Sequence, residues 1–261
     1  MNLTRPDLTV IVPVFNEERT LHRILDQLTT VPFRHPRQEV IVINDGSTDG
    51  TRAALRQWEG RPGFVVLHHG TNQGKGAAVR TALAHARGTV TVIQDADLEY
   101  NPAELPSLVE PILRGECEVV YGSRYLKPAD RPQWSRFRLY VNFVNVVGWA
   151  LYGVRLTDIA TCYKVLPTDL YHRLELTAER FELCTEMTAK LFRLGVPIRE
   201  VPISYHPRTR AEGKKIGWRD VWPFTKALIE WRFRSRPGTA DAETFPSRLS
   251  PTLAAPAIAS K

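Results

Sequence analysis

Three carboxylates at alternate positions form the part of this chain best suited to chemistry. Asp95, Asp97 and Glu99 follow the apolar run 89–94, which is typical of a buried strand. Carboxylates that leave a strand end at this spacing can converge on one hard divalent cation, because Mg²⁺ and Mn²⁺ prefer oxygen ligands and bridge protein carboxylates to phosphate oxygens. Paired aspartates alone are more often surface acids, but the position at a strand end favours a metal site.

Two polar turns follow other apolar runs. Residues 44–50 have the composition of a turn in which Ser47 or Asp49 caps while Asp45 points to a ligand. Residues 72–76 form a loop of small residues before a helix, and Lys75 in this loop is a candidate phosphate ligand. The loop lacks the GxxxxGK[ST] spacing of a nucleotide-hydrolysing P-loop, so glycines that only shape a turn are the alternative.

The elements that position these residues alternate between strands and helices. This alternation predicts an α/β fold with a mostly parallel central sheet and helices on both faces, in which ligands bind beyond the carboxyl ends of the strands. The predicted strands of the first half are 8–12, 39–43, 64–67, 89–94 and 119–122. The predicted helix starts include Asn16 as an N-cap and an Asn101-Pro102 start with Glu104 as the capping glutamate.

The second half of the chain is less regular. Helices are predicted over 134–154, 181–194 and 217–234, with Gly195 ending the second of them. Strands are predicted at 162–166 and 198–205. The first and third helical segments mix aromatic and basic residues, which favours contact with a membrane interface. Packing on the sheet or a homodimer interface is the alternative for these two segments.

Composition and charge limit the class of protein. The chain has 261 residues, 43% of them hydrophobic, and a net charge of +7. Its three cysteines lack CxxC spacing, which argues against a zinc site or a disulfide framework and suits a reducing compartment. No apolar run has the length of a membrane span, and the first residues lack the apolar core of a signal peptide, so we expect a cytoplasmic protein.

The positive charge is concentrated in two stretches. Residues 199–236 hold ten Lys or Arg against four Asp or Glu, and residues 122–155 hold six against one. Such an excess indicates an anionic partner, either phosphates, lipid head groups or nucleic acid, or else a solvated basic surface. No nucleic-acid recognition motif is present, so we expect no nucleic-acid partner.

Seven short segments carry more information together than singly. They are VPVFNEE (12–18), INDGSTDGT (43–51), NQGKG (72–76), QDADLE (94–99), GSRY (122–125), TD (157–158) and RTRAEGKK (208–215). In this order they resemble the family 2 glycosyltransferases, and more closely the dolichyl- or polyprenyl-phosphate hexose synthase branch. The resemblance implies a nucleotide-diphospho-sugar transferase (glycosyltransferase A-type) fold over one domain, 1–235. A donor-binding half, 8–125, precedes an acceptor-side half, 126–235, and a disordered tail is expected at 236–261.

The resemblance also implies roles for individual residues. The nucleoside pocket would be lined by Pro13, Phe15, Glu17, Ile43 and Asp45. The groups near ribose, diphosphate and metal would be Asp95, Ala96 and Asp97, with Asp97 and Glu99 as the direct ligands of Mg²⁺ or Mn²⁺. The phosphate contacts, besides Lys75, would be Arg124, Arg208 and Lys214, the last two on a mobile loop.

Three features depart from the resemblance. Phe15 stands where relatives often carry Tyr, which removes a hydroxyl group from the base pocket. Glu99 stands where many relatives carry Gln, which adds negative charge at the metal. The C-terminal membrane spans of many members are missing, so any membrane contact is expected to be peripheral.

The implied reaction transfers a hexose, with inversion, from a nucleotide sugar of the GDP-mannose or UDP-glucose type to a polyprenyl or dolichyl phosphate. A phosphate acceptor is already anionic, whereas a sugar hydroxyl needs a general base. Asp158 is the candidate base, and a capping or salt-bridged aspartate is its alternative. The catalytic candidates are therefore Asp97, Asp158 and Arg124. Rival functions are transfer to a sugar hydroxyl of a glycolipid or cell-surface polysaccharide, and a nucleotide-binding module without catalysis.

Overall fold

The computed structural model describes residues 5–31, 37–126, 136–208 and 221–234. Within them, seven strands form one sheet in the order β3-β2-β1-β4-β6-β5-β7. The strands are β1 (Leu8–Val14), β2 (Gln38–Asp45), β3 (Phe64–His69), β4 (Val90–Ile93), β5 (Val119–Ser123), β6 (Lys164–Pro167) and β7 (Ile198–Pro202). All pairings are parallel except those of β6, which runs antiparallel to both β4 and β5. The predicted fold class, α/β with a mostly parallel sheet, is confirmed.

Eight α-helices of the described residues pack on or beside this sheet. They are α1 (Leu21–Thr30), α2 (Thr51–Leu55), α3 (Lys75–Leu83), α4 (Leu105–Leu113), α5 (Arg136–Tyr152), α6 (Thr168–Arg173), α7 (Leu183–Leu194) and α8 (Val221–Phe233), and a 3-10 turn spans Pro102–Glu104. The apolar positions of α1 explain its packing, because Leu21, Ile24, Leu25 and Leu28 recur at helical spacing and are fully buried.

The sheet contains a switch in strand order that locates a crevice. From β1 the chain moves outward through β2 to β3 and then returns to place β4 on the other side of β1. The chain segments that follow the adjacent strands β1 and β4 therefore turn toward opposite edges of the sheet, which leaves a crevice at the carboxyl ends of these two strands. Asp95 and Asp97 follow β4 at this point.

Most predicted elements are found, with changes at their ends. Asn16 does not cap α1: Thr20 precedes the helix, and the Asn16 amide oxygen instead accepts a hydrogen bond from the Thr48 N–H at 2.8 Å, tying the turns after β1 and β2 together. Asn101 does cap the turn that begins at Pro102, but the Glu104 carboxylate binds the Ser204 N–H at 2.9 Å rather than its own helix. Gly195 ends α7 with φ +69°, as predicted.

Helices α5, α7 and α8 pack against one another, and α5 and α8 each keep a second apolar face in solvent. Their buried sides include Tyr140, Val141 and Val144 on α5 and Phe224 and Leu228 on α8. We call the other side the exposed apolar face; it consists of Leu139, Phe143, Val146, Trp149, Trp222, Ile229 and Phe233. None of the described helices is long and apolar enough to cross a membrane. The tail 236–261 lies outside the described residues.

Candidate active site

The carboxyl ends of the strands surround one cavity of about 350 Å³. Residues from both halves of the chain line it: Pro13, Val14, Phe15, Glu17, Asp45, Asn72, Gly74, Lys75, Ala78, Asp95, Ala96, Asp97, Glu99, Tyr100, Arg124, Tyr140, Ala160, Cys162, Arg180, Phe181, Tyr205, Arg208 and Phe224. Most of the polar residues lie at or shortly after the ends of strands β1, β2, β3, β4, β5 and β7, whereas Arg180 lies between α6 and α7, and Tyr140 and Phe224 belong to α5 and α8. The cavity therefore joins a charged strand edge to the two helices that carry the exposed apolar face.

Negative charge accumulates where β4 ends. Burial, and then the carboxylates of Asp95 and Glu99, raise the pKa of Asp97 to about 7. The Asp97 carboxylate accepts the Glu99 N–H at 3.1 Å and makes no ion pair with a described residue. A buried carboxylate with this shortage of positive charge suits a divalent cation, which is the fit that the predicted metal site requires.

The other predicted metal ligand, Glu99, is held by protein groups. One carboxylate oxygen accepts the Arg208 N–H at 2.8 Å, and the other accepts the Tyr205 hydroxyl at 3.0 Å. Each oxygen has a second lone pair, so coordination by Glu99 remains compatible with these contacts. Within the described part of the chain, no group of three or more His, Cys, Asp or Glu side chains forms a ready metal site. A cation here would need ligands from a substrate, as Mg²⁺ commonly takes from phosphates.

Lys75 reaches from the start of α3 to the same strand end. Its ammonium group pairs with the Asp95 carboxylate and also lies 3.2 Å from the Cys162 sulfur. Burial alone would lower the pKa of Lys75, but the charge of Asp95, the hydrogen bond to it and the nearby Cys162 and Cys184 thiols together keep this pKa well above its usual value. Lys75 is therefore a permanent cation in the cavity wall.

Asp45 braces the glycine-containing turn before α3. Its carboxylate accepts the N–H groups of Gln73 at 2.9 Å and Gly74 at 2.8 Å, and His69 Nδ1 lies 2.7 Å from it. The carboxylate lines the cavity but already has three donors, so its observed contacts are those of a scaffold for the turn that presents Lys75. His69 was not among the predicted residues.

Arg124 and Asp158 form a buried bidentate ion pair. The Arg124 Nε and Nη2 atoms each lie 2.7 Å from a different oxygen of Asp158, and the Arg124 N–H adds a bond of 3.2 Å. Asp158 is fully buried and absent from the cavity wall, whereas Arg124 lines it. The Asp158 oxygens are directed at Arg124, which is the salt-bridged arrangement given above as the alternative, and a role as general base stays a prediction.

Arg208 connects two edges of the cavity. Its Nε donates to the carbonyl oxygen of Asp97 at 2.7 Å, and its Nη2 donates to the Glu17 carboxylate at 2.7 Å. The predicted loop partner of Arg208, Lys214, lies outside the described residues, as does the rest of the loop after Arg208. The structure therefore describes only the first residue, Arg208, of the predicted mobile loop.

The structure brings most of the remaining predicted residues together. Pro13, Phe15, Glu17 and Ala96 all line the cavity. Ile43 does not: β2 continues two residues beyond the predicted strand end, so Ile43 lies inside the sheet and is fully buried in the core. Residues that sequence reasoning missed include Tyr205 and Arg180. Tyr205 lies three residues after β7, so extending the strand-end rule to the last strand would have found it, whereas no sequence signal marks Arg180.

Comparison with known proteins adds relatives to this geometry. The profile of Glycosyl transferase family 2 matches residues 9–173. The dodecaprenyl-phosphate galacturonate synthase of Rhizobium johnstonii is 25% identical over 89% of this chain and 69% of its own length. The undecaprenyl-phosphate mannosyltransferase of Micrococcus luteus is 31% identical over 79% of this chain and 86% of its own length.

A solved structure resembles this one in fold. Glucosyl-3-phosphoglycerate synthase of Mycobacterium tuberculosis, crystallised with Mn²⁺ and UDP-glucose, superposes with a TM-score of 0.64. The match covers 87% of this chain and 79% of that one at 20% sequence identity. The shared architecture is the glycosyltransferase A-type fold.

Proposed function

Because this chain belongs to Glycosyl transferase family 2 and is a glycosyltransferase, we propose that it transfers a hexose from a nucleoside-diphosphate sugar to a polyprenyl-phosphate lipid. The observation that carries the proposal is the cavity at the strand ends, which runs from the carboxylates after β4 to Tyr140 and Phe224, on the buried sides of the two helices that also bear the exposed apolar face. A lipid acceptor needs such a path, since its phosphate must reach a polar site while its chain stays in apolar surroundings. The names of the two curated relatives, both polyprenyl-phosphate enzymes, support the same acceptor class.

The donor's place follows from the charged groups. Asp97, with Glu99 beside it, would hold Mg²⁺ or Mn²⁺, and the solved relative in complex with Mn²⁺ and UDP-glucose supports a divalent cation in this fold. When bound, the cation would supply positive charge to the diphosphate that leaves the sugar. Lys75 and Arg208 line the same region and would add to that stabilisation, because fixed cations at a developing negative charge lower the barrier.

The acceptor's place follows from Arg124. Its guanidinium is oriented by Asp158 and packs over the Tyr205 ring, with the carbon of the guanidinium 5.0 Å from the ring centroid. An arginine held this way would fix an acceptor phosphate for direct displacement at the anomeric carbon, with inversion. A phosphate oxygen needs no general base, which agrees with the burial of Asp158 beneath Arg124.

The membrane provides the acceptor in this proposal, and the exposed apolar face would contact it. Trp222 and Phe233 have 68% and 74% of their surface exposed, and the Arg155 and Arg232 guanidinium groups lie over Trp149 and Phe233. Aromatic rings beside cations are suited to the depth of the head groups. The enzyme would then act peripherally, with the exposed apolar face on the lipid.

A transfer assay tests the proposal. The full-length protein is incubated with Mn²⁺ and UDP- or GDP-hexoses carrying a labelled sugar, together with polyprenyl phosphate, the uncharged polyprenol, or a glycolipid with free sugar hydroxyls. We expect label in the organic phase with the lipid phosphate alone, and none in excess EDTA. Transfer to the glycolipid but not to the phosphate would establish the rival acceptor. Donor binding without transfer to any acceptor would indicate a nucleotide-binding module.

A further inference from the structure

The cations of the cavity wall differ in how they are neutralised. Lys75 pairs with Asp95, Arg124 with Asp158 and Arg208 with Glu17. Arg180 also lines the cavity, but it is exposed to solvent, and its guanidinium makes no hydrogen bond, ion pair or ring contact with a described residue. The wall therefore contains a basic group that lacks a protein counter-charge.

The backbone that carries Arg180 is fixed on both sides. The Glu186 carboxylate accepts the Thr177 N–H at 2.9 Å and the Ala178 N–H at 2.7 Å. The Arg180 N–H donates to the Glu182 carboxylate at 3.1 Å, and the carbonyl of the preceding residue accepts the Ala77 N–H at 3.1 Å. These bonds hold the segment against the first turn of α3.

The Arg180 side chain lies on the glycine-containing turn of the donor side. A Cβ atom on Gly74, which has φ +97°, would come within 3.0 Å of Arg180 Cγ and 2.4 Å of the Glu179 carbonyl oxygen. The next side chain, Phe181, has the Lys75 ammonium 5.8 Å from its ring centroid. The Arg180 side chain thus reaches the turn that precedes Lys75 through close packing that only a glycine at position 74 permits.

We infer that Arg180 binds a second anionic group of the substrates, a carboxylate or phosphate other than the donor diphosphate. The inference rests on the proposed function, in which the diphosphate is already served by Lys75, Arg208 and the cation at Asp97. A guanidinium with a free fork of N–H groups recognises planar carboxylates and phosphates in two-point fashion. The two sources are the carboxylate of an acidic hexose, that is a uronic acid, and the phosphate of the lipid acceptor.

Arg180→Gln and Arg180→Lys in the full-length protein test this role. Arg56→Gln is the matched control, because Arg56 is an exposed arginine beside α2 outside the cavity wall. Binding of UDP-glucose and UDP-glucuronic acid is measured in the presence of Mn²⁺. The KM for polyprenyl phosphate is measured with the nucleotide sugar from which the wild-type enzyme transfers its sugar. Loss of one charge-assisted contact should weaken the affected ligand by about 10- to 100-fold.

The outcomes separate the two sources. If the carboxylate is the ligand, Arg180→Gln loses affinity for UDP-glucuronic acid but not for UDP-glucose, and Arg180→Lys recovers part of it. If the acceptor phosphate is the ligand, both donors bind as before and the KM for polyprenyl phosphate rises. Arg180→Gln indistinguishable from Arg56→Gln in all three measurements would overturn the inference and leave the proposed function intact. A wild-type protein that transfers no sugar from any UDP- or GDP-hexose to polyprenyl phosphate would instead overturn the proposed function, and this inference with it.

Discussion

Arg208 and Glu17, separated by 191 positions in the chain, meet with 2.7 Å between guanidinium Nη2 and carboxylate oxygen. Arg208 Nε also donates a hydrogen bond to the Asp97 carbonyl oxygen. The pair therefore links the turn after β1 to the turn after β4 at the cavity, and both members are largely buried, with 14% and 8% of their side chains exposed.

Arg208→Gln should damage catalysis and stability for different reasons. Turnover should fall by about 10²-fold, since a cation that stabilises the leaving diphosphate is lost. Unfolding free energy should fall by about 1–3 kcal/mol, because the Glu17 carboxylate is left buried without its partner. Glu17→Gln combined with Arg208→Gln should restore the stability and not the turnover. Restored turnover in the double variant would contradict a direct role for Arg208.

Metal binding should depend on the protonation of Asp97. Its pKa of about 7 in the folded protein lies above the ordinary aspartate value of 3.8, so without metal its contribution to stability is fully present below about pH 3.8 and is lost as the pH rises through about 7. A cation competes with that proton, so Mn²⁺ affinity should increase from pH 6 to about pH 8. Calorimetric titrations with Mn²⁺ and UDP, or GDP, in buffers of different ionisation enthalpy should show proton release. Asp97→Asn should bind Mn²⁺ weakly and without this pH dependence; equal affinity would remove Asp97 from the site.

Asp158→Asn should act through Arg124. Removing one charge from a buried pair leaves the other uncompensated, so we expect a loss of about 3 kcal/mol in unfolding free energy. The KM for the acceptor should rise more than kcat falls, since the guanidinium loses its fixed orientation. A drop in kcat of about 10³-fold or more, with unchanged stability and acceptor KM, would instead support Asp158 as the general base.

Gly76→Ala should disturb both sides of the cavity. The new Cβ would lie 2.2 Å from the Ala178 carbonyl oxygen, so the backbone of α3 or of the segment leading to Arg180 must move. We expect a loss of about 1–3 kcal/mol in unfolding free energy and weaker binding of UDP-glucose with Mn²⁺. Gly70→Ala is the control, because no atom lies within 4 Å of its added Cβ. Equal melting temperatures for the two variants would show that the segment does not depend on this close approach.

Substitution of Trp222 and Phe233 by Ser should weaken membrane contact. The wild-type protein should sediment with anionic liposomes at low salt and largely leave them at high salt, as expected for combined apolar and electrostatic binding. The double variant should remain in the supernatant, whereas Leu113→Ser, at an exposed position of α4, should behave as wild type. The contrary outcome is a wild-type protein that does not bind liposomes but forms a stable dimer, and a double variant that is monomeric. That result would show that the exposed apolar face contacts a second copy of the chain.

The strand-end rule predicts much of this site. Asp45, Asp95, Asp97 and Arg124 come together because parallel strands place their carboxyl ends at one edge. The pairing of Arg124 with Asp158 could not be foreseen, since it depends on how the loop before β6 packs. Arg180 could not be predicted for a similar reason: its position depends on a contact with Gly74 that is distant in sequence. The antiparallel direction of β6 could not be predicted either, because a short apolar run does not show which strands it will pair with.

The position of β6 between β4 and β5 affects the order in which the strands of the sheet can pair during folding. Among the described strands, β5 pairs with β6 and β7, both of which are synthesised after it, whereas β1 to β4 pair with one another and β4 gains β6 later. Before β6 has been made, β1 to β4 can therefore form the four-stranded part of the sheet with β4 as an open edge, while β5 lacks its native neighbours. Such late, long-range pairing slows folding and exposes strand edges in the meantime. Arg124 directly follows β5, whose partners are β6 and β7, so we expect the donor side of the cavity to be able to form before the acceptor side.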